Sequence, residues 1–264
     1  ADMLRWLSVQ LARGALGKGS DRLFSEAAAR EMWTPHTLIP EQPLPTQIAL
    51  TAAMFNTYAL GWNVRDYRGT KIVTHAGGVE GTLSLTVLLP EKQVGIVVMI
   101  NSEDGGALRA VFYRLIDHYL GLESPDWIAA YAQLQQDRLG KAAEVVRKIP
   151  TGKQSVGSPS LAPAGYAGVY RDTWYGTVTI TAGEKGALQI RFDRSPGMVS
   201  ALEHVRHDTF RTRFANRRIE DTYVTFALRP DGSIDQMKMQ AVSPIADFSF
   251  DYHDLLFKPV ESKR

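Results

Sequence analysis

Thr74-His75-Ala76-Gly77-Gly78-Val79-Glu80-Gly81 sets an imidazole beside three glycines. Histidine donates or accepts a proton near neutral pH, and glycines lacking Cβ let a ligand or another backbone come close. Those are two ingredients of a site that moves protons on a bound molecule. Taken by itself, however, a glycine-rich β-turn carrying a surface histidine accounts for the stretch more simply.

Other candidates are weaker. His204 and His207 are three apart in what reads as strand or turn, where that spacing does not put both on one face, so they read as surface histidines and no metal site is expected. Asp251, His253 and Asp254 suggest acid–base chemistry, but in a strand of period two Asp251 and His253 share a solvated face opposite Phe250 and Tyr252. Arg211 and Arg213, with Arg217 and Arg218 close by, read as a charged outer face with an anion site as the sharper alternative. Trp174 and Tyr175 read as barrel core or rim. The absence of cysteine excludes disulfides, thiolate metal sites and a cysteine nucleophile, and no cofactor is implied.

Elements must position these residues. A chain of 264 residues, 44% hydrophobic and 22% charged, is longer than one average domain needs, and a net charge of +2 spread over both portions does not suit a nucleic-acid or anionic-membrane binder. No stretch approaches the roughly 18 to 20 apolar residues of a transmembrane helix.

Met3, Leu4, Leu7 and Leu11 lie at helical spacing behind Asp2, so the chain reads as opening inside a domain. Ser25 is placed to cap a helix over 26–33, stopped by Pro35. Strand pieces are expected over 59–64 and 71–74, around the turn Asp66-Tyr67-Arg68-Gly69. The alternation of Leu83, Leu85 and Val87 with Ser84 and Thr86 predicts a half-buried strand, and the apolar run 94–100 one covered on both faces. Leu108, Val111, Phe112, Leu115, Ile116 and Tyr119 make a helical stripe closed by Gly121. Ser124-Pro125 starts a further helix to about 148, with Trp127, Tyr131, Leu134 and Val145 on its buried side.

A proline-, glycine- and serine-rich tract over 150–165 marks a boundary, giving three segments: 1–121, 122–163 and 164–264. Beyond it Val178 and Ile180, then Leu188, Ile190 and Phe192, then Val224, Phe226 and Leu228, then Phe248, Phe250 and Tyr252 alternate as strands of an antiparallel barrel or sandwich.

Tyr58-Ala59-Leu60-Gly61-Trp62, Asp66-Tyr67-Arg68-Gly69, His75-Ala76-Gly77-Gly78, Leu88-Leu89-Pro90-Glu91 and the run from Val94 to Met99 with Asn101 together resemble the closing section of the serine β-lactamase-like hydrolases. That superfamily includes class C β-lactamases, D-alanyl-D-alanine carboxypeptidases, D-aminopeptidases and esterases. The resemblance covers residues 2 to about 120 and implies an α/β fold there, an antiparallel sheet with packed helices, followed by a lipocalin-like all-β barrel like the accessory domains of such enzymes.

His75-Ala76-Gly77 matches the His-x-Gly form of the family's third motif. By that resemblance His75 assists proton movement or holds a substrate carboxylate, Gly77 lets substrate lie along the strand, and the Gly78 N–H is one of two oxyanion-hole donors. Tyr58, Ala76 and Gly81 fall on the substrate-binding path. The substrate implied is a small ester, amide or lactam, and the place periplasmic or secreted.

No serine is followed three positions on by lysine, and no tyrosine two positions on by asparagine, so the family's nucleophile and base motifs do not occur in the sequence. In the family they precede this section, which leads to the expectation of a missing N-terminal segment, a catalytically inactive chain and self-association through uncovered apolar surfaces. The competing expectation is a non-catalytic module carrying an apolar ligand in its barrel. Bulky inward residues such as Val178, Ile190, Phe192 and Phe226 favour a filled barrel instead.

Overall fold

The computed structural model describes residues 2–17, 19–79, 81–150, 154–247 and 249–260. Contacts divide the chain into two compact units, Ala1–Asp137 and Arg138–Arg264.

The first unit holds an antiparallel sheet of six strands, β1 (Thr37–Leu38), β2 (Asn56–Tyr58), β3 (Asn63–Tyr67), β4 (Thr70–Val79), β5 (Thr82–Leu89) and β6 (Val94–Ile100), each hydrogen-bonded to the next in chain order. Tyr67 pairs with Thr70, so Arg68 and Gly69 alone make the β3–β4 turn, and both have positive φ, 49° and 84°. A two-residue turn of that kind matches the right-handed twist of its strands. The expected strand over 59–64 is instead a tight turn followed by β3. Gly61, at φ 78°, bends the chain back, and Ala59 N–H donates to Trp62 O at 2.7 Å. The expected piece 71–74 is the inner half of a much longer β4.

Two helices lie on one face, α1 (Asp2–Leu11) and α2 (Glu26–Met32), with Ser25 Oγ accepting from Ala28 N–H as the predicted cap. Their core comprises Leu7, Ala59, Trp62, Val64, Val73 and Leu88. Gly95 of β6 makes room for α1, since a Cβ there would stand 2.9 Å from Leu7 Cβ. Against the other face pack α3 (Gly105–Leu120), closed by Gly121 in the left-handed conformation, and the start of α4 (Trp127–Arg147). The stripe on α3 differs from the expected one: Val111 and Tyr119 are exposed, while Leu108, Phe112, Tyr113, Ile116 and Asp117 turn inward. Val145 of α4 is likewise exposed. Nor is β6 covered on both faces throughout. It is an edge strand on which Ile96 is buried but Met99 is 62% exposed.

Asp117 is the polar centre of this core. Fully buried, it accepts from Tyr67 Oη and Trp127 Nε1, each at 2.7 Å, and Arg68 Nη1 stands 3.5 Å away. Burial and then this carboxylate push the Tyr67 phenol far above its ordinary pKa, so it stays a donor. The carboxylate ties β3, α3 and α4 together.

The second unit is a closed eight-stranded antiparallel barrel, β7 (Gly168–Asp172), β8 (Gly176–Ala182), β9 (Leu188–Phe192), β10 (Val199–Arg206), β11 (Thr209–Thr212), β12 (Thr222–Leu228), β13 (Ile234–Ala241) and β14 (Leu256–Pro259). Neighbours follow chain order and β14 pairs with β7. Closure removes the sheet edges that would otherwise invite pairing. The interior is occupied by side chains including Tyr166, Tyr170, Val178, Ile180, Ile190, Val224, Phe226, Met237 and Phe257. The expected strand over 248–252 is not one. Phe248 lies outside the described residues; Asp247 accepts from Ser249 N–H at 2.9 Å, a short helical turn covers Tyr252–Asp254, and the strand begins at Leu256.

Two carboxylates hold the barrel's ends. Asp172 accepts the backbone N–H groups of Trp174 and Tyr175 through Oδ1 and of Leu256 through Oδ2. Asp208 accepts from Ser160 N–H and Oγ and from the Tyr166 hydroxyl. Burial alone would raise both carboxyls, but these donors outweigh it and hold both below the ordinary range. The Tyr166 phenol is pushed up to about 12, by burial and then by Asp208.

Three outcomes are expected. Asp117→Ala strands two buried donors and should cost about 3–5 kcal/mol in urea unfolding followed by tryptophan fluorescence, with Asp117→Asn costing less. Gly95→Val should cost about 1–3 kcal/mol and raise amide hydrogen exchange in α1, which it pushes off the sheet. Because Asp172 and Asp208 bind protons more weakly folded than unfolded, the barrel should keep their stabilisation above about pH 4 and lose it as pH falls below that. Urea midpoints at pH 7 and pH 3 should differ less in Asp172→Asn and Asp208→Asn than in the unaltered chain.

Candidate active site

The segment singled out by sequence is not a turn but the outer half of β4. Asn63 at the start of β3 pairs with Thr74, the last β3–β4 partner. From His75 to Val79, β4 pairs with β5 alone, through His75 with Thr86, Ala76 with Leu85, Gly77 with Ser84, Gly78 with Leu83 and Val79 with Thr82. The burial changes with the pairing: Ile72 and Val73 are fully buried, whereas every residue from His75 to Val79 is exposed.

Alternation sorts the candidates by face. His75 and Gly77 share the face of Val73, toward α1 and Trp62, together with Ser84 and Thr86 of β5. Ala76 and Gly78 share the opposite face with Ile72, and so does Tyr58, in the cross-strand row Tyr58, Asn63, Thr74, Val87. The structure thus brings His75 and Gly77 together and places the Tyr58 and Ala76 side chains on the other side of the sheet. Gly81, at φ 80°, ends the hairpin, and its N–H donates to Glu103 Oε1 at 2.9 Å. Glu80 lies outside the described residues.

His75 is held from the turn between β2 and β3. Its Nδ1 is 2.7 Å from the Gly61 carbonyl, and its ring meets Trp62 edge to face with centroids 6.2 Å apart. Trp62 is only 5% exposed and anchors that turn in the core. Gly61, Trp62, Ser84 and Glu103 were not among the residues the sequence marked. The first two sit inside a quoted motif, but nothing in their spacing shows that they reach His75.

The glycines of this strand are not demanded by the fold. Neither Gly77 nor Gly78 has positive φ, and the nearest atom to a Cβ on either would be a side-chain tip, Ser84 Oγ or Leu83 Cδ2, each at 3.0 Å, with the Thr82 carbonyl oxygen 3.9 Å from a Cβ at Gly78. Gly14 shows the contrasting case, with φ 100° and a Cβ that would lie 2.2 Å from Phe24 O. Two adjacent glycines weaken a strand, and where the fold does not require them they mark a place kept clear for close approach.

The remaining candidates find local explanations. His204 Nε2 is bonded to His207 O at 2.8 Å within the β10–β11 hairpin. Asp251, His253 and Asp254 are all exposed, with ligand atoms within 4.8 Å of one another. Arg211 is not on a solvated face: it is 4% exposed and bonded to Glu203 Oε2 at 3.0 Å, its direct cross-strand partner, which also takes Arg213. Trp174 is 85% exposed, on the rim and not in the core.

Residues 1–120 match the family described as Beta-lactamase, and residues 153–259 match Domain of unknown function (DUF3471). The chain is 29% identical over 226 residues to "Unguisins hydrolase ungD" of Aspergillus violaceofuscus, covering 79% of this chain and 38% of that protein. It is also 29% identical over 182 residues to "Unguisins hydrolase ungD'" of Aspergillus campestris, covering 66% and 32%. The chain thus spans about a third of the length of these curated relatives. Among solved structures it is similar to SurE, at 15% identity and TM-score 0.32 over 89% of this chain and 42% of that one. It is similar also to the octameric penicillin-binding protein homologue from Pyrococcus abyssi, at 16% identity and TM-score 0.31 over 91% and 44%. Scores this low carry no inference. The family match, the ordered motifs and a sheet that displays His-x-Gly on an open strand edge agree, and residues 1–120 are similar to the Beta-lactamase family.

Proposed function

We propose that the outer half of β4 is the substrate-facing strand of a serine acyl-transfer site acting on an ester, amide or lactam. The observation that carries this is the combination at residues 75–79: a strand paired on one side only, two glycines the fold does not need, and an imidazole held beside them. An extended acyl group can lie along such an edge. The chemistry is attack by a serine Oγ on the carbonyl carbon, rupture of the C–O or C–N bond with the leaving group taking up a proton, and hydrolysis of the acyl-enzyme by water.

In this reading the Gly78 N–H is one of two donors to the oxyanion, and His75 serves the proton transfers. The serine, its lysine and the tyrosine base come from residues outside this sequence, which contains neither Ser-x-x-Lys nor Tyr-x-Asn. That two relatives are named hydrolases supports the reaction type.

The test is intact mass after exposure to a fluorophosphonate that labels activated serines. The 264-residue chain should gain no label, while a protein joining this sequence to a Ser-x-x-Lys segment should gain one. In that longer protein Gly78→Pro, which deletes the N–H, should lower kcat by about 10²–10³-fold, and Gly78→Ala much less. Stoichiometric labelling of the 264-residue chain would place a nucleophile within it, and an unchanged rate in Gly78→Pro would remove the oxyanion role; either result overturns the assignment.

A further inference from the structure

We infer that Gly61 is a positioning residue: its carbonyl fixes His75 as the Nδ1–H tautomer, so that the neutral ring meets substrate at Nε2 as a hydrogen-bond acceptor. This rests on the reading of His75 as a site residue and decides which of two roles it takes there.

A carbonyl oxygen has no proton to give. Whatever hydrogen bond joins Nδ1 to Gly61 O at 2.7 Å must therefore use a proton on Nδ1. In a neutral imidazole the other nitrogen then carries the lone pair. Among the described residues Nε2 of His75 has no hydrogen-bond partner, and the side chain is exposed on the face it shares with Gly77 and Ser84.

The donor–acceptor pair is built into the fold and not left to a mobile side chain. The turn Ala59–Trp62 is closed by Ala59 N–H to Trp62 O at 2.7 Å and Gly61 N–H to Ala59 O at 3.1 Å. Gly61 reaches its left-handed conformation without strain, and the buried Trp62 indole anchors the turn while touching the His75 ring. A neutral Nε2 cannot donate to a carboxylate. It can take a proton from a hydroxyl or an ammonium group, or accept a hydrogen bond from one, and this points to substrates that present an O–H or N–H donor beside the carbonyl under attack.

Long-range 1H–15N correlation of the 15N-labelled chain, recorded on the neutral ring, reads the tautomer directly. The expected pattern is a pyrrole-type Nδ1 and a pyridine-type Nε2 for His75. Gly61→Pro cannot hold positive φ, must rebuild the turn and should lose this pattern, its Nδ1 resonance moving toward the pyridine-type position. Gly61→Asn tolerates the left-handed region, meets open space where its Cβ stands, and should keep the pattern. If Gly61→Pro does not fold, the unaltered chain and Gly61→Asn still decide. A pyridine-type Nδ1 in the unaltered chain, or an unchanged spectrum in a folded Gly61→Pro, overturns the inference. Neither result touches serine labelling, so failure here leaves the acyl-transfer reading standing, and failure of that reading leaves the tautomer intact.

Discussion

The hydrogen bond between His75 and Gly61 exists because β4 outruns its neighbour: β3 has five residues and β4 ten. Where β3 stops, the space it would have filled is taken by the turn that precedes it, and the carbonyl of that turn meets the first side chain of the overhang. The same overhang leaves one edge of β4 without a strand partner over the next four residues. Unpaired edges are ordinarily blunted by charge, proline or cover. This one carries no charged or proline residue from His75 to Val79 and no cover among the described residues, so it stays available for pairing.

An overhanging strand holds its geometry only if its inner half is immobile, and the packing supplies that. Ile72 and Val73 are buried on opposite faces, one against the α3 side and one against the α1 side. Each side has its own clamp. On one, Asp117 draws a tyrosine of β3 and a tryptophan of α4 onto α3. On the other, Gly95 lets α1 come within van der Waals contact of β6. The hairpin tip is held separately, by the Glu103 carboxylate on the Gly81 N–H. Fixed at its root and tip, the exposed stretch is preorganised, which is what the proposed function asks of a backbone donor that must act on a developing charge without moving.

Much of this was legible in the sequence where local rules operate. Period-two runs located β5 and the barrel strands β8, β9 and β12, and Ser25 and Gly121 marked helix ends. What failed to show were matters of tertiary context. The α3 stripe was read from apolar residues alone, so Asp117 could not enter it, because only a partner tyrosine, tryptophan and arginine make a buried carboxylate affordable. Arg211 was read as solvated because its cross-strand partner Glu203 lies eight residues away, beyond any local pattern. Phe250 and Tyr252 alternate as a strand would, yet the Asp247 turn and the backbone bonds around Tyr252 curl the chain, with a helical turn over Tyr252–Asp254. His75 and its glycines were visible as residues; the carbonyl that orients the imidazole was not, since backbone acceptors have no letter in the sequence.

The glycines give the sharpest distinction between what the fold needs and what the site needs. At Gly14 the backbone angle and a carbonyl 2.2 Å from any added Cβ leave no alternative, and at Gly95 the facing atom is Leu7 Cβ, which cannot swing aside. Removing those glycines breaks packing. At Gly77 and Gly78 the backbone is ordinary β, and the nearest atoms are a hydroxyl and a methyl at the ends of side chains, not backbone. Folding therefore supplies no reason for two adjacent glycines there. A reason does come from the open edge. Without Cβ atoms at these two positions another chain can lie close along β4, and at the start of that path stands an imidazole whose orientation the preceding turn has already set.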